Sequence, residues 1–323
     1  MNEQPSSLTI EDAGTVAHEI LDEVCRAVVG KREVIGLILC GLVADGHVLL
    51  DDVPGVAKTL TARSLATVAG LAFSRVQFTP DVLPADITGS VVLDLATHSP
   101  EFRRGPVFSN LLLADEVNRA PAKTQAALLE AMQERQVTSD GTTYRLPQPF
   151  LVIATQNPIE SEGTYPLPEA QLDRFLLRTT MGYPAEKDEL TMLTDRIARR
   201  TDEVDLRPVC DVATFSAVQR AVEEVHTDER LLAYCVSLVR ATRAEGELAV
   251  GSSPRGTLAL VKLARAGALM DGRSYVGPDD IRAMAVPALA HRVVLSDDAW
   301  ARGVSPEAVV RRAVDGVPVP QFG

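Results

Sequence analysis

The stretch "LLDDVPGVAKTL", Leu49 to Leu60, holds the residue types that bind a triphosphate. A phosphate-binding loop is a glycine, four residues, then Gly-Lys-Ser/Thr, set between a strand and a helix. Asp52 and Ala57 stand where that pattern puts glycine. Gly55 remains for close approach of the backbone, Lys58 can reach the β and γ phosphates, and the Thr59 hydroxyl can ligate Mg²⁺. Backbone N–H groups from Gly55 to Thr59 would form an anion nest at the helix N-terminus. Pro54, Gly55, Val56, Ala57, Lys58, Thr59 and Leu60 are therefore the expected nucleotide contacts. Asp52 lies at the loop's entrance. Alanine at position 57 costs on the order of 1 kcal/mol if that position needs a left-handed backbone, and it removes no donor. Taken alone, the loop fits a nucleotide site and an ordinary strand–turn–helix about equally.

Other strand ends carry matching chemistry. "LLLADE" ends in Asp115 and Glu116, two carboxylates delivered where the carboxyl edge of a sheet meets phosphate. Asp115 would hold Mg²⁺ through water and Glu116 would polarise the attacking water; the bland reading is a pair of acids capping the next helix. "VIATQN" brings Asn157 to the end of another apolar run, able to orient the same water or touch the γ phosphate, or else simply a turn residue before Pro158. Arg174, in "PEAQLDRF", suits the stabilisation of transition-state charge in a neighbouring subunit's site, against an alternative salt bridge to Asp173. Arg255, in "SSPRGTL", stands at a helix start where it could touch the γ phosphate and couple it to movement of the second half of the chain; the alternative is a solvated first-turn arginine. Arg119, in "EVNRAP", divides evenly between a subunit boundary and a plain surface charge.

The elements that must position these residues read as an alternation. Glu11 to Val29 and Glu33 to Ala44 are helical, with Gly30 a stop between them. Short apolar runs then read as buried strands: "HVLL", "SRVQF", "NLLLAD", "PFLVIAT" and "FLLRTTM", with helices at Lys58 to Ala69 and Ala122 to Gln133. Strands alternating with helices imply a parallel sheet covered on both faces. Asp140-Gly141, within "RQVTSDGTTYRLPQP", marks a hairpin, and Ile87 to Leu93 a second one. Beyond Pro184 only helices are expected: Glu186 to Arg199, Thr214 to His226, Asp228 to Ala244, Pro254 to Met270 and Pro278 to Ala290. The domain boundary falls near Tyr183.

Composition is that of an ordinary globular protein: 323 residues, 46% hydrophobic, 24% charged and only 4% aromatic, so the core rests on aliphatic side chains. The net charge of -12 disfavours a nucleic-acid backbone as partner. "MNEQPSSLTI" lacks the basic and apolar regions of a secretory signal, and Val34 to Ala44 is too short to span a bilayer, so a cytoplasmic protein without a membrane span is expected. Cys25, Cys40, Cys210 and Cys235 show no paired spacing and read as inert buried thiols, and the five histidines are too scattered for a metal site.

These residues together resemble the AAA+ ATPases, and more narrowly the MoxR family. The resemblance is close over Val29 to Tyr183 and rests on "LLDDVPGVAKTL", "QFTPDVLPADITG", "GPVFSNLLLADEVNRAPAKTQAALLEAMQE" and "VIATQNPIESEGTYPLPEAQLDRF". Family members can carry Asp and Ala where Asp52 and Ala57 stand, which favours a working site. The resemblance implies an α/β core, a P-loop AAA+ parallel sheet sandwiched by helices over residues 1–183, followed by a smaller all-helical lid over 184–323. Lys58 and Thr59 then match Walker A, Asp115 and Glu116 Walker B, Asn157 sensor 1, Arg174 the arginine finger and Arg255 sensor 2, while Gly30 matches the segment near adenine. A helix-2 insert is implied at about 78–100 and a hairpin before sensor 1 at about 135–148, both projecting from one face of a homo-oligomeric ring, usually a hexamer. ATP and Mg²⁺ are the implied cofactors. The implied work is remodelling or maturation of protein clients, among them proteins with von Willebrand factor A domains. A nucleic-acid-driven motor and a binding scaffold without turnover are the competing classes.

Overall fold

The computed structural model describes residues 8–94, 98–158 and 164–321. Part of one signature, the residues 159–163 within "VIATQNPIESEGTYPLPEAQLDRF", lies outside them, as do positions 95–97 of the expected insert. The first half runs α1 (Ile10–Ala27), α2 (Arg32–Val43), β1 (Val48–Asp51), α3 (Lys58–Val68), β2 (Phe73–Gln77), α4 (Pro84–Thr88), β3 (Gly89–Asp94), β4 (Ser99–Arg104), β5 (Leu111–Asp115), α5 (Ala122–Glu134), β6 (Gln136–Ser139), β7 (Thr142–Arg145), β8 (Leu151–Gln156), α6 (Glu169–Leu172) and β9 (Leu177–Thr179).

β2, β5, β8, β1 and β9 pair in that spatial order, every pair parallel, as the alternation predicts. The central strands are apolar at nearly every position because both sheet faces are covered. Period-two geometry divides them cleanly. Val48, Leu50, Leu111, Leu113, Leu151 and Ile153 join one cluster with α1, α2 and α3. Leu49, Leu112, Ala114, Val152 and Ala154 join another with Phe78, Leu128, Met132 and Phe175.

α1 begins where Thr9 accepts the amide of Asp12 at 3.1 Å, with Glu11 and Asp12 in the first turn and Arg26 in the last. These are the favoured charges at each end of the helix dipole. Its buried stripe of Ala13, Ala17, Ile20, Leu21 and Val24 fits the expected helical spacing.

Both hairpins form. At the second, Asp140 and Gly141 take φ of +48° and +77°, the left-handed pair a two-residue turn requires. The first is larger than Ile87 to Leu93: β3 pairs antiparallel with β4 from Gly89↔Arg104 to Asp94↔Ser99. Charges at Glu101, Arg103 and Arg104 hid the second arm from a hydrophobicity reading. Phe102 of β4 stacks on Tyr144 of β7 with centroids 4.0 Å apart and rings 12° from parallel, so the two hairpins touch.

The second half holds α7 (Glu186–Arg199), α8 (Val212–Glu224), α9 (Glu229–Ala244), β10 (Leu248–Val250), α10 (Pro254–Met270), α11 (Pro278–Leu289), β11 (Val294–Leu295), α12 (Asp297–Ala301) and α13 (Pro306–Asp315). It is a helical lid, with one correction: β10 and β11 form a small antiparallel pair, too short to register as strands in sequence. α13 lies beyond the expected helices, although Ser305 and Pro306 supply a cap and a first-turn proline. Lid and core are not separately packed, since Leu260 and Leu263 of α10 belong to the same buried cluster as Val48 and Leu50. Among the described residues no helix is long and apolar enough to cross a membrane. Cys40 and Cys235 are buried and their thiols are pushed up to about 12 by burial, whereas Cys25 and Cys210 are only half-buried, a correction to the expectation that all four are enclosed.

His47 enters β1 buried between the sheet and α5. Its Nε2 lies 3.1 Å from the Met132 carbonyl and its Nδ1 accepts the Val152 amide at 3.1 Å, a pairing that needs the neutral ring. Burial pushes its pKa down from the ordinary 6.5 to about 4. The unfolded chain thus takes up this proton at a higher pH than the folded one, so the contribution is complete above about 6.5 and lost as pH falls towards 4, on the order of 3 kcal/mol in all. Urea unfolding at stepped pH should show stability falling through that window, with a shallower slope in His47→Gln; an unchanged slope would contradict the neutral assignment.

Candidate functional site

The loop after β1 has the geometry its chemistry needs. Gly55 takes φ +86°, and the side where a Cβ would stand is open for 4 Å. Ala57 is left-handed, φ +63° and ψ +21°, so the strain expected there is present. It offers α3 no capping side chain, and the first amides of that helix have no intrahelical acceptor. Donors, positive dipole end and open space coincide, which fits an anion such as a phosphate. Lys58 is buried and its Nζ donates to the Asp52 carbonyl at 2.7 Å, lying across the loop. Thr59 follows on the first turn of α3, partly exposed.

Asp52 is more than a tolerated substitute for glycine. Its side chain is buried, and Oδ1 accepts the Val53 amide at 3.0 Å. Oδ2 accepts the amides of Met181 and Gly182, the latter at 2.8 Å. One carboxylate thereby ties the phosphate loop to the backbone leaving β9 for the lid. Burial also pushes the adjacent Asp51 carboxyl up; it lies 3.8 Å from Arg178.

Asp115 and Glu116 end β5 across the cleft. Asp115 Oδ2 accepts from Arg75 at 2.7 and 3.2 Å, and Oδ1 accepts the Thr155 hydroxyl at 2.6 Å. That same hydroxyl accepts the Glu116 amide at 2.8 Å, so one wholly buried side chain fixes both acids. Glu116 is left-handed, φ +58°, and its Oε2 accepts from Gln77 at 2.7 Å and Arg119 at 3.0 Å. The capping alternative does not hold, because the N-cap of α5 is Pro121 and no side chain caps that helix. Arg119, its side chain 39% exposed, pairs with Glu116.

Loop and acids enclose a cleft of about 420 Å³ lined by Pro54, Gly55, Ala57, Lys58, Thr59 and Leu60 on one side and Arg75, Gln77, Asp115 and Glu116 on the other. Oxygen donors at Thr59 and Asp115 beside Lys58 are the set a magnesium–triphosphate requires. Asn157, buried, follows β8, the strand between those carrying the loop and the acids. Its backbone carbonyl accepts from Asn118 Nδ2 at 3.3 Å. Val56 is buried behind the loop. Gly30 does not line the cleft: at φ +74° it abuts Asp188 at the start of the lid, and its neighbour Lys31 donates to the Tyr183 carbonyl at 2.7 Å.

Arg174 and Arg255 lie elsewhere. They line a second cavity of about 330 Å³ with Asp45, Arg135, Asp173, Lys262 and Arg292, and neither lines the cleft between loop and acids. The lid places the start of α10, and Arg255 with it, against the segment after α6. Arg174 Nη1 donates to the Leu129 carbonyl at 2.7 Å, and its buried Nε has no acceptor among the described residues. The alternative pair with Asp173 is not made. Asp173 binds Arg292 at 2.8 Å instead, with Arg255 at 3.6 Å.

Sequence reasoning missed Arg75, Gln77 and Thr155. Gln77 ends β2 and Thr155 lies two residues before Asn157, and a place at the carboxyl end of a strand was the available signal.

The chain matches a model described as ATPase family associated with various cellular activities (AAA) over residues 47–177, and one described as AAA lid domain over residues 240–313. It is 47% identical over 311 residues to YeaC of Bacillus subtilis (strain 168), covering 96% of this chain and 97% of that protein. With the chaperone MoxR1 of Mycobacterium tuberculosis it shares 43% identity over 308 residues, 93% of this chain and 81% of the relative. A crystal structure from Cytophaga hutchinsonii aligns with a TM-score of 0.89 at 40% identity over 96% of each chain.

Replacing the Thr155 hydroxyl by a methyl strands a buried amide and removes a donor from Asp115. Thr155→Val should cost about 1–3 kcal/mol by denaturant unfolding, despite its near-equal volume. A cost near zero would mean that the hydroxyl does not join the two acids.

Proposed function

The chain belongs to the MoxR family of AAA+ ATPases, and from that premise we propose that it hydrolyses MgATP at the boundaries between identical subunits of a ring and uses the movement to remodel client proteins. One observation carries the reading: the cleft holding Lys58, Thr59, Asp115 and Glu116 contains neither Arg174 nor Arg255, which share a separate cavity. Transition-state charge on a transferring phosphoryl group needs such guanidinium partners. Each subunit then presents a binding face and a donating face, and a closed ring joins one to the next.

Within the cleft, the amides from Gly55 to Thr59 and the Lys58 ammonium hold the β and γ phosphates. Thr59 and Asp115 would hold Mg²⁺, which supplies neutralisation of the developing charge when bound. Both Asp115 oxygens already accept hydrogen bonds, which suits a contact through water. Glu116 orients the attacking water and accepts its proton as oxygen bonds to the γ phosphorus and the bond to ADP breaks. Gln77 and Arg119 both hold Oε2, fixing the carboxylate for that transfer through Oε1. Asn157 steadies the same water. Gly30, against the start of the lid, stands on the adenine side.

The name of the Mycobacterium tuberculosis relative, a chaperone, supports protein clients, and the family resemblance points to those with von Willebrand factor A domains. A hexameric ring acting in the cytoplasm is the arrangement proposed. Net charge of -12 weighs against a nucleic-acid motor.

Glu116→Gln should keep nucleotide affinity while phosphate release falls on the order of 10²-fold or more. Full turnover in that variant would refute the role of Glu116. Arg174→Ala should lose activity by roughly 10³-fold, yet regain part of it when mixed with Lys58→Ala subunits, because an intact loop then meets an intact arginine. Mixed rings that remain inactive would count against donation between subunits.

A further inference from the structure

Asp173 and the three residues after it are gripped by a single lid side chain. Arg292, just beyond α11, has a side chain only 3% exposed. Its Nε donates to Asp173 Oδ1 at 2.8 Å. Nη2 donates to the carbonyls of Phe175 at 2.6 Å and Asp173 at 3.4 Å. Nη1 donates to the carbonyls of Leu176 at 3.1 Å and Ala288. The neighbouring ring reinforces this grip, since His291 Nε2 lies 3.0 Å from the Phe175 carbonyl. Arg174 sits in the middle of the gripped segment. Among the described residues its own guanidinium is held through Nη1 to Leu129, in a cavity that Arg292 also lines.

The same carboxylate reaches Arg255. Asp173 Oδ2 accepts the Ser253 hydroxyl at 3.2 Å and lies 3.6 Å from Arg255 Nη1. Ser253 is the N-cap of α10, two residues before Arg255. Arg292 therefore fixes the backbone on both sides of Arg174, and Asp173 passes that constraint to the helix start bearing Arg255.

Burying a guanidinium this deeply is costly unless every donor is paired, so its partners are held as one unit. Only the planar fork of arginine can meet one carboxylate oxygen and several carbonyls in diverging directions; a lysine offers three donors from one point.

We infer that Arg292 is a positioning residue for the donating face: it couples the lid, which carries Arg255, to the core segment carrying Arg174, so that the set of the lid decides whether a subunit can complete its neighbour's site. This rests on donation between subunits as proposed above. Arg292 touches no nucleotide and lies outside its own phosphate cleft. Its loss should spare that subunit's own nucleotide binding and damage only what it donates.

Arg292→Met, which keeps length and apolar packing, should show kcat lowered on the order of 10²-fold with KM within about threefold. Mixed with Lys58→Ala, whose donating face is intact, it should recover activity. Mixed with Arg174→Ala, which shares the defective face, it should not. Arg292→Lys should fall between Arg292→Met and the unaltered protein. A structural defect of the lid alone would not sort the two mixtures. Equal behaviour in both, or a KM raised in step with the fall in kcat, overturns the inference. If Arg174→Ala mixed with Lys58→Ala also stays inactive, donation between subunits fails and this inference with it; recovery there without recovery for Arg292→Met overturns this inference alone. Should Arg292→Met not assemble by sedimentation, Asp173→Asn, which keeps shape and weakens the same pair, carries the identical mixing test.

Discussion

The parallel registration of β5, β8 and β1 is the constraint on which the site depends. Leu113 lies opposite Ile153, Ile153 opposite Val48, and Asp51 opposite Gln156, so the three strands end at one edge. A slip of one residue on any of them would turn its apolar faces inside out. With one cluster on each sheet face and both essentially closed to solvent, no such slip is available. The hydrophobic effect thereby fixes where two carboxylates, a phosphate loop and a buried amide meet. None of these polar groups has to hold the sheet together. Thr155 then does locally what registration does globally, by joining the Asp115 carboxylate to the Glu116 amide.

Backbone strain is present at the same edge. Ala57 and Glu116, neither a glycine, both stand in the left-handed region at the two walls of the cleft. Each costs on the order of 1 kcal/mol and persists because strand and helix on either side leave no other path. At Ala57 the strained backbone opens α3 without a cap, which is what leaves amide donors turned towards the cleft. At Glu116 it turns the side chain back towards Gln77 and Arg119.

Two carboxylates connect this edge to the lid. Asp52 joins the loop to the backbone leaving β9, and Asp173 joins the segment after α6 to α10 and Arg292. Because α10 also shares the main hydrophobic cluster, the lid is set against the core by packing and by charge together. Asp173 thus ties the arginine cavity to the lid directly, whereas Asp52 ties the phosphate loop to the backbone that leads into it.

Residue order alone determined the sheet and most of the site. Five apolar runs at strand length, separated by helical periods, admit little else, because a doubly covered parallel strand must be apolar throughout. Lys58, Thr59, Asp115, Glu116 and Asn157 were legible because each ends or follows such a run, and strand ends are where a parallel sheet presents chemistry. The hairpin at Asp140-Gly141 was legible from turn chemistry alone, whereas β4 was hidden by its charges and β10 and β11 by their brevity. What tertiary structure decided are the long-range pairings: Asp52 with Met181 and Gly182, Thr155 with Asp115 and Glu116, and Arg292 with Asp173. Arg255 went to the second cavity for the same reason. A hydrogen bond between residues 40 or 130 positions apart depends on how elements dock, and no local period or spacing encodes that.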